Sequence, residues 1–134
     1  MPAIALVVSD FNWEITSMME KEAMKEASDA GAMVVATVHV NGVFDSPLAV
    51  QRMLERKDVT GVAVLGAVIK GKTKHDEVIV DAAAQAITRL SLEFRKPVGF
   101  GMIGPGATET QAMERAVEYA KRAVRSALNA QADG

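Results

Sequence analysis

The 134 residues include no cysteine. That excludes a disulfide framework, a thiolate metal site and a cysteine nucleophile together. Charge of one sign is missing too: 15 Lys and Arg stand against 17 Asp and Glu, a formal net charge of −2. Without a broad basic field, nucleic acid is a poor partner. No apolar run, including the one over residues 59–69, reaches the ~20 residues needed to span a bilayer. No basic stretch leads into a signal-type apolar segment at the N-terminus. What remains is 49% apolar and 24% charged, ordinary globular composition. The length suits a single domain over residues 1–134 with one hydrophobic core. The expectation is a soluble cytoplasmic protein without membrane contact.

Four β-branched runs appear, each followed by a longer helical pattern. Residues 3–8 are apolar throughout, as in a strand buried on both faces of a parallel sheet. Over 12–31, Ile15, Met18, Met19, Ala23 and Ala27 recur at three- and four-residue spacing, and Gly31 is a natural helix stop. Residues 34–40 read as the second strand. Asn41-Gly42 breaks it, and Ser46-Pro47 reads as an N-cap followed by proline at the first helical position. Residues 61–65 form the third strand, and the loop 66–74 feeds a helix running to about Phe94. Thr73-Lys74-His75-Asp76 has capping-box spacing in its aspartate form. Residues 97–103 form the fourth strand, Gly104-Pro105-Gly106 turns the chain, and Thr108-Glu109-Thr110-Gln111 is a second capping box. Its helix reaches about Ala130, with frayed residues beyond.

Such alternation argues for the α/β class: a three-layer α/β/α sandwich around a four-stranded parallel sheet of flavodoxin-like order 2-1-3-4. Ligands of such sheets bind at the carboxyl ends of the strands. The loops to inspect are therefore 9–13, 41–46, 66–74 and 104–107.

The first loop holds Phe11 and Trp13, two of only six aromatics in the chain. An aromatic ring there can stack on a planar heterocycle, while Asn12 either hydrogen-bonds it or caps the helix. The alternative is that Phe11 packs against a neighbouring subunit. In the second loop Asp45 either accepts hydrogen bonds from a polyol or amine, or is a solvated acid at a helix start.

The third loop, Gly66-Ala67-Val68-Ile69-Lys70-Gly71-Lys72-Thr73, matches the nucleotide-hydrolase pattern G-x-x-x-x-G-K-T. Bulky Val68 and Ile69 resist the curled conformation that wraps a phosphate. The motif also falls too late in the chain, and no later strand ends in the aspartate that would help hold magnesium. The physics of an anion site survives this rejection. Gly71, Lys72 and Thr73 precede a helix whose free amides favour an anion, and Lys70 and Lys74 add positive charge. His75 falls in the first turn of that helix, and imidazole can accept and return a proton near neutral pH. His39, inside the second strand, reads as a packed or edge histidine. Arg115, on the last helix, either grips a phosphate or is a solvated helix charge. No set of His, Asp and Glu has metal-ligand spacing, so no metal is expected.

Taken together the four loops resemble the lumazine synthase family in its short archaeal-like form. The likeness is carried by Phe11-Asn12 with Ile15-Thr16, then by Gly42-Val43-Phe44-Asp45 with Pro47-Leu48-Ala49-Val50. It continues through Leu65-Gly66-Ala67-Val68-Ile69 with Gly71, Thr73 and His75-Asp76-Glu77. Gly104-Pro105-Gly106 with Thr108, Gln111-Ala112 and Glu114-Arg115 completes it. The family condenses 5-amino-6-(ribitylamino)uracil with 3,4-dihydroxy-2-butanone 4-phosphate, using no metal or organic cofactor. The resemblance implies that Phe11 stacks on the pyrimidine and that Asn12 belongs to the same subsite. It implies that Val43, Phe44 and Asp45 line the ribityl side, and that Val68 and Ile69 present backbone groups to the ring. Gly71, Lys72 and Thr73 would cradle phosphate with Arg115 as counter-charge, and His75 would be the general acid/base. Phe100 and Lys121 match positions donated by an adjacent subunit, Lys121 on the phosphate side. The implied partners are small-molecule substrates and further copies of the chain, in pentamers or sixty-subunit icosahedral shells with intersubunit sites.

Asn41 and Ser46 depart from the family pattern, which has proline and a larger apolar residue there, and bear on the ribityl loop. Lys70, Lys72 and Lys74 stand at variable positions that are often acidic. Two alternatives use the same fold: an archaeal-type riboflavin synthase, and a self-assembling shell protein, engineered or natural, that does not turn over.

Overall fold

A computed structural model describes residues 1–70 and 75–129. β1 (Ala3–Ser9), α1 (Trp13–Asp29), β2 (Met33–Val40), α2 (Ser46–Leu54), β3 (Gly61–Ile69), α3 (His75–Phe94), β4 (Val98–Ala107) and α4 (Glu109–Asn129) follow in that order, with a single 3₁₀ turn, Val43–Asp45, before α2. All strand pairs are parallel, and the sheet order is β2-β1-β3-β4. The expected α/β class and 2-1-3-4 order are both present.

Period-two alternation along β1 divides the core in two. Ile4, Leu6 and Val8 face one layer with Ile15, Met19, Ala23 and Ala27 of α1 and the alanines of α4. Ala5 and Val7 face the other, with Val50 and Leu54 of α2 and Val80, Ala83 and Ile87 of α3. Hence the three layers, and hence a central strand that is apolar at nearly every position.

α4 lies close to the sheet because only small groups separate them. Ala112, Ala116, Ala120, Ala123 and Ala127 are all buried, and β4 answers with glycine. A Cβ at position 99 would overlap the Ala123 carbonyl oxygen.

Local signals end the helices as the sequence suggests. Gly31, at φ 74°, donates its N–H to Ser28 O while Ala32 N donates to Ala27 O, a Schellman close to α1. Thr108 and Gln111 exchange the reciprocal bonds of a capping box, Gln111 N to Thr108 Oγ1 at 3.1 Å and Thr108 N to Gln111 Oε1 at 3.0 Å. The capping box proposed at Thr73 lies outside the described residues.

Three sequence expectations give way. β3 continues through Ile69, so Val68 and Ile69 are strand residues rather than loop; Ile69 pairs with Ala107 across the sheet. Gly104-Pro105-Gly106 does not leave the sheet: the β4 register shifts within it, where both glycines have positive φ. A Cβ at Gly104 would collide with the Val68 carbonyl oxygen, so only glycine lets β4 close on β3 here. Ser46 is not the N-cap of α2: Asp45 occupies that place, and the buried Ser46 hydroxyl donates back to Val43 O at 2.6 Å.

Candidate functional site

The C-terminal ends of β1 and β2 present two aromatic rings to solvent. Phe11 is 68% exposed and Phe44 is 67% exposed, an unusual state for phenylalanine with no partner. Main-chain bonds tie their loops together. Asp10 N donates to Val40 O at 2.8 Å and Phe11 N to Asn41 O at 3.0 Å, extending the β1–β2 ladder beyond the strands. The rings are thus carried on backbone that the sheet itself holds.

Asn12 stands at the N-cap position of α1 but does not cap the helix with its side chain. It sits at φ 64°, and its amide donates to Ala67 O on β3 at 2.7 Å. Its own carbonyl accepts from Ile15 N and Thr16 N. Asn12 therefore fastens the Phe11 loop to β3, a role that spacing along α1 does not reveal.

On the second loop Val43 is buried against the α2–α3 core, so what it can offer a ligand is backbone. The exposed Asp45 carboxylate accepts from Gly42 N through Oδ2 at 3.1 Å, and Oδ1 has no bond among the described residues. Val68 and Ile69 are half-buried at the end of β3, and Lys70 N donates to Ala107 O at 2.6 Å. A hollow of about 350 Å³ opens beside them, lined by Asn12, Trp13, Glu14, Ile15, Ile69 and Glu109. A second of about 410 Å³ lies between β2 and α2 and includes Asp45 and Leu48. A hollow of about 590 Å³ beside Lys57, Arg95 and Lys96 lies at the opposite, N-terminal end of β3 and β4, away from the loops that carry ligand chemistry.

His75 is the first residue of α3 and is exposed, with Asp76 and Glu77 in the same turn. Gly71, Lys72 and Thr73 lie outside the described residues. Arg115 is exposed on α4 without an ion pair among the described residues.

Two residues are far from this edge of their own chain. Phe100 pairs with Val64 in the β4–β3 register, and Val64 with Val7. It is thus two residues short of the end of β1, about 6–7 Å along the strands, and it lines a hollow against α3 with Ile87, Thr88 and Leu92. Lys121 lies about 18 Å along α4 from its start, 3.7 Å from Glu22 of α1.

His39 is the packed edge-strand histidine expected, but its partners are not visible from its neighbours in sequence. Its Nδ1 lies 2.7 Å from Asp10 Oδ1, its Nε2 lies 2.8 Å from Glu20 Oε1, and its ring centroid is 5.3 Å from that of Trp13. The available signal was the pairing of an edge-strand histidine with an Asp and a Trp in the adjacent loop. Among the described residues buried Ser9 Oγ, Thr16 Oγ1 and Glu20 Oε1 have no hydrogen-bond partner, so the approach of Glu20 to His39 is an ion-pair distance and not a hydrogen bond. Among the described residues no three His, Asp or Glu converge as a metal site would require, and no helix is long and apolar enough to cross a membrane.

A family model described as 6,7-dimethyl-8-ribityllumazine synthase matches residues 2–132. Proteins of that name resemble the chain over 93% of its length. The one from Metallosphaera sedula is 52% identical over 125 residues, covering 83% of the relative. That from Aeropyrum pernix is 52% identical over 126 residues, covering 86%, and that from Methanoculleus marisnigri is 49% identical over 125, covering 92%. With the α/β/α sheet, the loop geometry and this likeness along its length, the chain belongs to the 6,7-dimethyl-8-ribityllumazine synthase family.

Proposed function

We propose that the chain performs the family's condensation at the C-terminal edge of its sheet, in a site roofed by Phe11 and Phe44 and closed by the start of α3. The observation that carries this reading is the pair of solvent-facing aromatic rings on two loops locked to each other by main-chain bonds. A flat pyrimidine stacks on Phe11. Backbone at Val43, Val68 and Ile69 serves its polar edges, and Asp45 Oδ1 accepts from the ribityl chain beside Phe44. Gly71, Lys72 and Thr73 hold the phosphate of the butanone ahead of α3, where helix amides favour an anion, and Arg115 balances its charge.

The chemistry asks little of the protein beyond this. The pyrimidine amine adds to the ketone and loses water to give an imine, phosphate is eliminated, and the ribityl-bearing nitrogen closes the ring on the remaining carbonyl with loss of a second water. Each step needs a proton delivered or removed, which His75 supplies from the first turn of α3. Holding an amine and a ketone together contributes most of the acceleration.

Phe100 and Lys121 act across a subunit boundary in this reading. Phe100 borders an apolar hollow on the open β4 edge, next to Leu92, which is 75% exposed. Such a surface suits a second copy of the chain, with residues 1–134 as one domain. Pentamers, closed or not into icosahedral shells, satisfy that need. Two polar substrates, one of them a phosphate ester, suit a cytoplasmic enzyme.

The test mixes the purified protein with the ribitylaminouracil and the butanone phosphate and follows lumazine absorbance. Turnover that falls about 10²-fold in His75→Ala is expected, the low end for a lost acid/base. An unchanged rate in that variant removes His75 from the chemistry. No turnover by folded parent protein favours a silent shell. A monomer in sedimentation velocity that still turns over removes the intersubunit part.

A further inference from the structure

His39 joins the edge strand β2, the β1–α1 loop and the body of α1. Val38 and Val40 pack with the α2–α3 layer; His39, between them, projects to the opposite face, toward α1. There its two ring nitrogens meet carboxylates of different elements. Asp10 belongs to the loop and lies at 2.7 Å from Nδ1, with a hydrogen bond between them; Glu20, two turns into α1, lies at 2.8 Å from Nε2. The ring also leans on Trp13 at a 59° tilt. Glu20 is less exposed than Asp10, 29% against 51%. The anchored end of this contact is therefore the helix, and the loop is what it restrains.

The restrained segment carries Phe11, which lies between Asp10 and the αL residue Asn12. Four contacts then set the backbone around Phe11: the Asp10 N–H on Val40 O, its own N–H on Asn41 O, the Asn12 amide on Ala67 O, and the Asp10 carboxylate on His39. Only the last is a side chain meeting a side chain, so it can be removed without altering the sheet.

We propose that His39 is a positioning residue for the pyrimidine half of the site, acting through Asp10 and Glu20 to hold the Phe11 ring where the heterocycle stacks. This rests on the stacking role proposed for Phe11. Loosening the loop weakens binding of the partner that Phe11 touches and leaves the phosphate partner alone, because phosphate capture lies on α3 and α4. A displacement of an ångström in a positioning group can cost up to about a hundredfold.

The experiment measures both Michaelis constants and kcat for His39→Leu, His39→Arg, Phe11→Ala and the double variant Phe11→Ala/His39→Leu. Leucine fills the space without a donor, whereas arginine brings a forked donor that can reach both carboxylates. The expected result is a KM for the ribitylaminouracil raised about tenfold in His39→Leu and largely restored in His39→Arg, with kcat and the KM for the butanone phosphate unchanged. The double variant is expected to be no worse than Phe11→Ala alone, since two residues acting through one contact are not additive. Trp13, the sole tryptophan, changes its emission in His39→Leu if the contact exists in solution.

If Phe11→Ala leaves the pyrimidine KM unmoved, the stacking role falls, and this proposal with it. If Phe11→Ala raises it but His39→Leu does not, the stacking role stands and His39 is only an edge-strand residue. A rise in both Michaelis constants, a failure of arginine to rescue, or full additivity each overturns positioning in favour of a general structural effect.

Discussion

Replacing Asn12 separates two things that one residue does at the head of α1. Its backbone sits at φ 64°, and its amide donates to Ala67 O at 2.7 Å. Asn12→Gly keeps the backbone conformation free of strain and removes only the hydrogen bond. That loss is about 0.5–1.5 kcal/mol, rising toward about 2 because Ala67 is 1% exposed and its carbonyl loses a partner. Asn12→Ala adds the cost of placing a Cβ in the left-handed region, about 1–2 kcal/mol more. The expected order is therefore Gly milder than Ala, separated by roughly 1 kcal/mol or more. Asn12→Asp accepts the same backbone but turns an acceptor toward the Ala67 oxygen, so it falls below Gly. Equilibrium urea unfolding at matched protein concentration reads all three. If Gly costs as much as Ala, the positive φ does not hold the energy assigned to it. If neither costs more than a few tenths of a kcal/mol, the bond to Ala67 is not what fastens the Phe11 loop.

Ala123→Leu forces a larger side chain between α4 and the sheet, where Gly99 and Gly101 already admit nothing larger than hydrogen; a loss of about 1–3 kcal/mol or outright misfolding is expected by urea unfolding, and a neutral result would mean that α4 can ride outward. Arg95 occupies the αL position after α3 at φ 55°, with Lys96 N donating to Ser91 O, where helices commonly place glycine. Arg95→Gly should gain up to about 1 kcal/mol by relieving the left-handed strain, measured the same way, with lumazine formation unaffected at this distance from the site. Asp58 accepts two hydrogen bonds from Arg56, at 2.9 and 2.7 Å, and these hold its carboxyl below the ordinary aspartate range. A lowered folded-state pKa gives stability that is present above the unfolded value and lost as pH falls through the folded one. An NMR titration of Asp58 should show the low midpoint and its return to the ordinary range in Arg56→Ala.

The parts of this protein that were legible in its sequence are those governed by neighbours along the chain. The three- and four-residue spacing of Ile15, Met19, Ala23 and Ala27 is the buried stripe of α1. Gly31 and the Thr108–Gln111 pair stop and start helices through bonds spanning only a few residues. The apolar β1 follows from strand-helix alternation, and the exposed Phe11 and Phe44 fall in the loops where a parallel sheet of this order puts its ligand edge.

What was misread depended on partners distant in sequence. Val68 and Ile69 read as loop because glycines and lysines surround them, but pairing of Ile69 with Ala107 keeps them in β3. Asn12 does stand at the N-cap of α1, but its side chain bonds to Ala67, 55 residues away, and not to the helix. His39 is the packed edge-strand histidine its position suggests, but nothing local announces that Asp10 and Glu20 converge on its two nitrogens. The sequence by itself determined the α/β alternation, the helix ends and the four loops, because periodicity and capping are short-range effects that each segment carries within itself. Tertiary structure alone decided which side chains in those loops fasten the site and which stay open to a ligand. That choice is made by hydrogen-bond partners on neighbouring strands and helices, brought within reach only when the sheet closes.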